Sequence, residues 1–251
     1  MCYNLRAQRD QTNRLRNYPV TVCFCTLAIY APYRRRARTL CASAKVPWVV
    51  LTDEPDDFAD LPVRAIRHEP TGPMARDYLA LLPPTGEGRG AAAYHDKRFA
   101  LIATLQDFDT AIYVDADSRI YNLPPLGIFP SGISVLPIVR KSVAQHLSTC
   151  GTWRMPDFEE LAQYLSGDTK TLKAARWCHE TLIAITKDGR ESRFFQAWAL
   201  AADFLQARGV YSGEGGVIGL AAAYAGWSVE YEALTRIGAS IQHEGGGPKN
   251  V

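Results

Sequence analysis

The sequence predicts an α/β fold: a single Rossmann-like domain in which helices flank a mostly parallel central sheet. Short apolar runs rich in β-branched residues alternate along the chain with stretches of helical character, which is the order of elements in such folds. These runs lack polar positions, as expected of strands covered on both faces. The 251 residues, 47% of them hydrophobic, can form one large core without a disulfide or a metal.

The first part of the chain contains two predicted strands with a helix between them. Residues 19–26 (PVTVCFCT) and 46–52 (VPWVVLT) are apolar and rich in valine, which predicts two buried strands. The basic stretch at 33–44 is compatible with a helix. Residues 70–90 are rich in proline and glycine, and we expect them to form a loop that acts as a mobile flap.

The most informative stretch lies in the middle of the chain. Residues 97–105 (KRFALIATL) have apolar positions at helical spacing, which predicts a helix. Residues 111–114 (AIYV) predict a short buried strand that leads directly into Asp115-Ala116-Asp117. Because ligands of α/β sheets bind beyond the carboxyl ends of the strands, this position is a candidate site.

The second part of the chain continues the alternation. Residues 133–139 and 181–186 predict two further strands. Residues 191–208 predict a helix, and residues 217–225 predict a second helix built from small side chains. A glycine follows each of these two segments, as is common at the C-terminal end of a helix.

Composition and charge exclude several classes of protein. The net charge is only +2, so a nucleic acid is not expected as a partner. The six cysteines form no Cys-x-x-Cys pair, which favours buried free thiols in a reducing compartment over a zinc site or a disulfide framework. The N-terminus is too polar for a signal peptide, and no stretch approaches the ~20 apolar residues of a membrane span. We therefore expect a cytoplasmic protein with no integral membrane segment. Its oligomeric state is not indicated.

Asp115 and Asp117 are the strongest candidates for chemistry. Two residues apart on an extended backbone, their side chains point the same way. Such paired oxygens suit Mg²⁺ or Mn²⁺ shared with a diphosphate, because these ions complete their shell with phosphate and water. A second copy of the pattern, Asp107-Phe108-Asp109, precedes the strand, and we expect it to be a turn with solvated or capping carboxylates.

The segment from residue 97 to residue 120 (KRFALIATLQDFDTAIYVDADSRI) resembles the core of GT-A-type nucleotide-sugar glycosyltransferases. The runs VTVCFCT and VVLTDEP resemble the nucleotide-binding strands of the same fold. The end of the chain, residues 243–249 (HEGGGPK), is similar to the tail of some of these enzymes. It departs from their usual pattern, which places a lysine directly before the proline, because here Pro248 precedes Lys249.

The resemblance implies a metal-dependent, hexosyltransferase-like enzyme with a GT-A-like fold. Such an enzyme moves a sugar from a nucleoside diphosphate sugar, most often a UDP-sugar, to an acceptor hydroxyl on a glycan, with Mn²⁺ or Mg²⁺ as cofactor. Residues 1–251 would form one glycosyltransferase domain. Within it, about 19–125 would bind the nucleotide sugar, and about 126–251 would bind the acceptor and end in a metal and diphosphate tail.

The resemblance also implies roles for the acidic pair and the tail. Asp117 would be a direct metal ligand, and Asp115 would contact metal-bound water or the donor ribose. His243 would be the third ligand through a neutral imidazole nitrogen. Lys249 would neutralise the charge of the diphosphate. His243 is alternatively an exposed tail residue.

Four residues of the first half are predicted to contact the donor. Thr26 and Asp53, at the ends of the first two strands, are placed to receive the nucleoside, although Asp53 could instead cap the helix that follows it. Lys97 or Arg98 would pair with the diphosphate or with Asp115, and we expect the other one to point at solvent. The arginine run at 34–38 is either a solvated helix face or a surface for an anionic acceptor or a membrane.

Glu180 and Glu214 are the candidate catalytic bases. An inverting transferase needs a carboxylate within hydrogen-bond reach of the acceptor hydroxyl. Glu180 directly precedes a predicted strand and is the first choice. Glu214 lies in YSGEGGVIGLAA, where we expect the glycines to let a ligand approach the backbone. A glutamate at the start of a helix also has a plain capping explanation.

Two other functions are compatible with the motif. A haloacid-dehalogenase-like phosphatase would use Asp115 as nucleophile, but its motif lies near the N-terminus and continues with threonine or valine, whereas Ser118 follows here. A non-catalytic nucleotide-sugar-binding protein would keep the fold without turnover. The sequence contains no phosphate loop, no Gly-x-Ser-x-Gly elbow and no zinc-protease motif.

Overall fold

A seven-stranded sheet in the order β3-β2-β1-β4-β7-β6-β8 forms the centre of the computed structural model, which describes residues 21–71, 95–210 and 213–244. A two-stranded sheet, β5-β9, lies beside it. The strands are β1 Val22–Ala28, β2 Trp48–Thr52, β3 Arg64–Arg67, β4 Thr110–Val114, β5 Ser118–Ile120, β6 Gly132–Val135, β7 Leu182–Thr186, β8 Val229–Glu230 and β9 Ile241–His243. The α-helices are α1 Ala31–Ser43, α2 Lys97–Leu105, α3 Val143–Leu147, α4 Met155–Ser166, α5 Thr171–Ala174, α6 Glu191–Gln206, α7 Glu214–Ala225 and α8 Thr235–Gly238.

The large sheet is mostly parallel. Strands β3, β2, β1 and β4 pair in parallel, and β6 pairs in parallel with β8. Among the strands described for this sheet, β7 alone runs antiparallel to its neighbours, β4 and β6. The predicted α/β fold with a mostly parallel sheet is therefore confirmed.

Helices cover both faces of this sheet, as its uninterrupted apolar strands require. Cys23 and Cys25 of β1 belong to a core that contains residues of α2, α4, α6 and α7. Phe24 and Ala28 point to the opposite face, where they meet Leu40 of α1 and residues of α8. The alternation along one strand thus supplies two cores, one on each side of the sheet.

Several boundaries differ from the sequence-based expectations, each for a local reason. Strand β1 extends to Ala28, two residues beyond Thr26, so Thr26 lies inside the sheet and not at its edge. Strand β6 ends at Val135, shortly before Pro137, which has no amide hydrogen to pair. Helix α7 begins at Glu214, three residues earlier than predicted, with Gly213 at a φ of 96° before it.

Eight elements of the described residues were not predicted from the sequence, and all except the twelve-residue α4 are short: β3, β5, β8, β9, α3, α4, α5 and α8. One of them carries a readable signal. Ser142 and Gln145 form a capping box at the start of α3, in which each side chain accepts a hydrogen bond from the other residue's amide. Two- and four-residue elements such as β8 and α5 are too short for a period to be recognised.

The cysteines of the described segments are free thiols. Cys23, Cys25, Cys41 and Cys178 are buried, and burial raises the pKa of each thiol, that of Cys23 to about 12. Cys150 is exposed. The prediction of buried free thiols is confirmed for these four residues.

Two predictions fall outside the described residues. The flap expected at 70–90 is described only at residues 70 and 71, and Lys249 lies beyond residue 244. The division into a donor half and an acceptor half stays a prediction, although both halves contribute strands to the same sheet. No helix of the described segments is long and apolar enough to cross a membrane.

Candidate active site

One edge of the large sheet collects most of the predicted site residues. The carboxyl ends of β1, β2 and β4 lie at this edge because the three strands are parallel. Strand β7 runs the other way, so the residues that precede it, including Glu180, arrive at the same edge. The amide of Asp115 donates a hydrogen bond of 3.1 Å to the carbonyl of Thr181 and joins the two segments.

Asp115, Asp117 and His243 lie together at this edge. The pairing of β5 with β9 sets Ser118 opposite His243, which brings the end of the described chain beside the acidic pair. Nδ1 of His243 is 3.2 Å from Oδ1 of Asp117, and the amide of Glu244 donates to the Asp117 carbonyl at 2.7 Å. One ligand atom from each of the three residues lies within 4.8 Å of the others. Two carboxylate oxygens and an imidazole nitrogen at this spacing suit a Mn²⁺ or Mg²⁺ ion.

A buried ion cluster lies directly beneath the acidic pair. Nζ of Lys97 is 2.9 Å from Oδ1 of Asp115 and 2.5 Å from Oε1 of Glu214, and the ring of Tyr113 is 5.4 Å from the ammonium. The two carboxylates hold the pKa of Lys97 well above its usual range despite burial. Burial raises the pKa of Glu214 to about 8, although the Lys97 ammonium acts in the other direction. Lys97 thus links a candidate metal ligand to a candidate base.

The glycines around Glu214 serve packing inside the protein. A Cβ on Gly215 would lie 2.2 Å from the carbonyl oxygen of Cys178, and one on Gly219 would lie 1.9 Å from that of Arg176. These glycines therefore let helix α7 contact the chain that leads to Glu180. The expectation that they admit a ligand to the backbone is wrong for these two positions.

Glu180 differs from Glu214 in its surroundings. It is half-buried and makes no hydrogen bond or ion pair among the described residues, yet its charge raises the pKa of both Lys97 and Glu214. Beside it, Nδ1 of His179 lies 2.9 Å from the hydroxyl of Thr181. Burial lowers the pKa of His179, and the carboxylates of Glu180 and Asp115 oppose that shift.

Asp53 directly follows β2, as expected, whereas Thr26 lies inside β1 and not at its end. Both oxygens of Asp53 accept from Nη1 of Arg34, at 2.7 and 2.8 Å, and one also accepts from the amide of Tyr30. Glu54, not Asp53, precedes the short 3₁₀ helix Pro55–Phe58, so the capping alternative for Asp53 is wrong. Thr26 is fully buried, and its hydroxyl oxygen has no hydrogen-bond partner among the described residues.

Lys97 and Arg98 are both buried, which corrects the expectation that one of them faces solvent. Lys97 pairs with Asp115, one of the two partners suggested for it. Arg98 instead donates to the carbonyl of His95 at 2.8 Å and lies 3.7 Å from Asp96. Its pKa is lowered by burial.

Two arginines near the site were missed by the sequence analysis. Nη1 of Arg36 lies 3.6 Å from Oδ2 of Asp117, a contact that the prediction of one basic run at 34–38 does not distinguish. Arg154 is buried and donates to the carbonyl of Cys150 at 2.6 Å. A Cβ on Gly213 would lie 2.7 Å from its guanidinium, so Arg154 packs against the start of α7. Neither position carries a local pattern that could have indicated its place.

The comparisons with known proteins give structural similarity only. No protein-family model and no curated protein sequence matches the chain. Among solved structures, the chain is similar to the apo form of mouse xyloside xylosyltransferase 1, with a TM-score of 0.42 and 12% identity over 85% of each chain. It is also similar to the apo structure of the bifunctional glycosyltransferase WbbM, with a TM-score of 0.42 and 11% identity. That match covers 87% of this chain and 39% of WbbM, so the chain spans less than half of that protein.

Proposed function

We propose that this protein is a metal-dependent glycosyltransferase of the GT-A type that its sequence resembles. It would transfer a hexosyl group from a nucleoside diphosphate sugar, in the first instance a UDP-sugar, to an acceptor hydroxyl on a glycan. The observation that carries the proposal is the convergence of Asp115, Asp117 and His243 at the carboxyl edge of a mostly parallel sheet.

Asp115, Asp117 and His243 would hold a Mn²⁺ or Mg²⁺ ion, which when bound would supply Lewis-acid stabilisation of the departing diphosphate. The chain contributes the orientation of these ligands. The buried ammonium of Lys97 contacts and orients the Asp115 carboxylate, and the pairing of β9 with β5 holds His243 beside Asp117. A ligand set held in this way loses little freedom when it binds a cation.

Glu180 is the better candidate for the catalytic base. Glu214 is buried against Lys97, and with a pKa raised to about 8 it is already protonated for the most part near pH 7, so it is poorly placed to accept a proton from a group outside the core. Glu180 lies at the same edge, and its carboxylate is not engaged by another described residue. In a transfer with inversion, Glu180 would accept the proton of the acceptor hydroxyl as its oxygen attacks the anomeric carbon and the bond to the diphosphate breaks.

Asp53 would contribute to nucleoside binding. Its carboxylate is held by Arg34 and Tyr30 but remains partly exposed, and a carboxylate oxygen can accept more than one hydrogen bond. Tyr30 itself has a φ of 75°, a rare conformation for a residue other than glycine and one that is often found near ligand sites. The buried Thr26 would contribute through the sheet and not by direct contact.

The phosphatase alternative is less well supported. A nucleophilic Asp115 would have to attack phosphorus, yet one of its oxygens is bound to the buried Lys97 ammonium. A protein that only binds nucleotide sugars would have the same cation site and no need of a free carboxylate such as Glu180.

The test is a panel of nucleotide sugars incubated with the protein in the presence of Mn²⁺, Mg²⁺ or a chelator. If the protein is a glycosyltransferase, its melting temperature should rise in the thermal-shift assay with one donor and a cation. It should also hydrolyse that donor slowly and release the nucleoside diphosphate. Release of phosphate from sugar phosphates would support a phosphatase. Binding without hydrolysis, and without transfer to any glycan acceptor, would leave a binding protein. Absence of binding to every donor would refute the proposal.

A further inference from the structure

The arginines of helix α1 do not share one role. Arg34 binds Asp53 and also Asp57, the latter through Nε at 2.5 Å. Arg38 makes a two-pronged contact with Asp60 at 2.6 and 2.7 Å. These two arginines fasten the helix to the turn that follows β2. Their positive charges are therefore already matched by carboxylates of the same surface.

Arg36 is arranged differently. Its only contact with a described acidic group is Nη1 to Oδ2 of Asp117 at 3.6 Å, which is too long for a hydrogen bond. Its side chain is 46% exposed, and its guanidinium carbon lies 6.0 Å from the centre of the Tyr33 ring. Arg36 thus points at the acidic pair and keeps donors available on the solvent side.

Asp117 lies between Arg36 and His243. Oδ1 of Asp117 faces the imidazole, and Oδ2 faces the guanidinium. A cation held by Asp115, Asp117 and His243 would therefore have Arg36 as its neighbour on the exposed side. Phosphate oxygens that complete the shell of such a cation would come within reach of the guanidinium, whose planar fork matches phosphate geometry.

The other basic residues suggested for the diphosphate are engaged elsewhere. Lys97 is buried between Asp115 and Glu214, and Arg98 is turned towards His95 and Asp96. Arg36, in contrast, is exposed and its guanidinium lies beside Asp117. Three features together distinguish Arg36 from the rest of the arginine run at 34–38: the distance of its guanidinium from Asp117, its exposure and its lack of a hydrogen bond to any described residue.

We infer that Arg36 is a donor-binding residue that contacts the diphosphate of the nucleotide sugar and neutralises charge as the diphosphate departs. The inference rests on the proposed function. It assigns to α1 a task that the sequence analysis gave to Lys97, Arg98 or Lys249. In the absence of donor, the same guanidinium faces Asp117.

The test is calorimetry with the full chain in Mn²⁺, using UDP and inorganic pyrophosphate as probes and uridine as the ligand without phosphate. The variant is Arg36→Ala, and the matched control is Arg35→Ala, which removes an exposed arginine from the same helix turn. Arg36→Ala is expected to weaken UDP and pyrophosphate binding about 10- to 100-fold, the range of a charge-assisted pair. Uridine binding should not change, and Arg35→Ala should alter none of the three.

Other results would overturn the inference in recognisable ways. Unchanged or tighter pyrophosphate binding by Arg36→Ala would mean that Arg36 only neutralises Asp117. An equal loss in Arg35→Ala would mean that the effect comes from general surface charge. If the wild-type protein binds neither UDP nor pyrophosphate with Mn²⁺, the donor site itself is absent and the proposed function fails with the inference. If the wild type binds and the variant is unaffected, only the inference fails.

Discussion

Two Asp-x-Asp sequences flank strand β4, and the two ends of that one strand make different structures from the same pattern. At the amino end, Asp107 pairs with Arg64 on the surface, and Asp109 accepts from the amide and hydroxyl of Thr21 at 2.9 and 3.0 Å. At the carboxyl end, Asp115 contacts a buried lysine, and Asp117 lies beside a histidine.

The difference comes from what each end of the strand meets. The amino end receives the turn from α2 with exposed carboxylates, as predicted from the sequence, and these carboxylates contact Arg64 and Thr21 at the surface. The carboxyl end meets α1, α7 and β9, so side chains distant in sequence converge there. A pair of aspartates becomes a candidate site through the elements that surround it, because the pattern itself is common.

The largest difference between the two ends should be in ligand binding. We expect Asp117→Ala to weaken Mn²⁺-dependent binding of the nucleoside diphosphate by at least about 100-fold, since even residues that only support a metal ligand can contribute 10- to 100-fold. Calorimetric titration of UDP into the Mn²⁺-loaded protein measures this loss.

Asp107→Ala is the matched control for that experiment, because it removes an aspartate of the same pattern from the other end of β4. It should bind as the wild type does. Unchanged UDP affinity in Asp117→Ala would show that the carboxyl end of β4 holds no metal site. Equal losses of affinity in both variants would show that the two ends of β4 do not differ in ligand binding.

How much of this site could be predicted depends on sequence distance. The strand at 111–114 and the aspartates after it are adjacent in the chain, so local periodicity together with the rule for parallel sheets predicted their place. Glu180 was also anticipated near the start of a strand. Its arrival at the same edge follows from the antiparallel direction of β7, which the residues of that strand do not encode.

The long-range contacts could not be predicted. The three-residue strands β5 and β9 bring together residues about 125 positions apart, and such short strands carry no recognisable period. The pairing of Lys97 with Glu214 spans 117 positions and depends on the close approach of α7. Charged side chains are usually exposed, so the prediction that Lys97 or Arg98 faces solvent failed. Lys97 is buried against Asp115 and Glu214, and Arg98 is buried against the preceding residues His95 and Asp96.

The second-largest difference between the two ends of β4 should be in how much their ion pairs contribute to the free energy of unfolding. Lys97→Met removes the buried ammonium that contacts the half-buried Asp115 carboxylate and the carboxyl group of Glu214, and loss of one partner from a buried pair is expected to lower the free energy of unfolding by about 3–5 kcal/mol. Arg64→Met, at the amino end, breaks an exposed pair and should lower it by less than about 1 kcal/mol. Urea denaturation at pH 7 measures both changes, and similar values for the two variants would contradict the contrast.

The smallest of these effects is the pH dependence of stability that comes from the Glu214 carboxyl group, near the carboxyl end of β4. Burial raises the pKa of Glu214 from its ordinary value of 4.5 to about 8. Between those pH values the folded protein keeps a proton that the unfolded chain has released, so the free energy of unfolding falls as the pH rises. The Glu214→Gln variant has no proton to release at this position, so its stability does not change with pH for this reason. The stability of the variant relative to the wild type should therefore increase by about 2 kcal/mol between about pH 6 and about pH 7.5.

The experiment contains its own control, because below about pH 4 Glu214 is protonated in both the folded and the unfolded wild type, and a protonated glutamate and a glutamine have the same charge and nearly the same shape. The stability difference there measures local packing and hydrogen bonding, and its growth at higher pH reports the titration. Urea denaturation of both proteins across the range gives the two curves. Parallel curves would mean that the Lys97 ammonium keeps Glu214 ionised in the folded protein, and Glu214 would then regain its place beside Glu180 as a candidate base. Curves that diverge as expected would leave Glu214 a neutral partner of Lys97 near pH 7, and the acceptor chemistry would fall to Glu180.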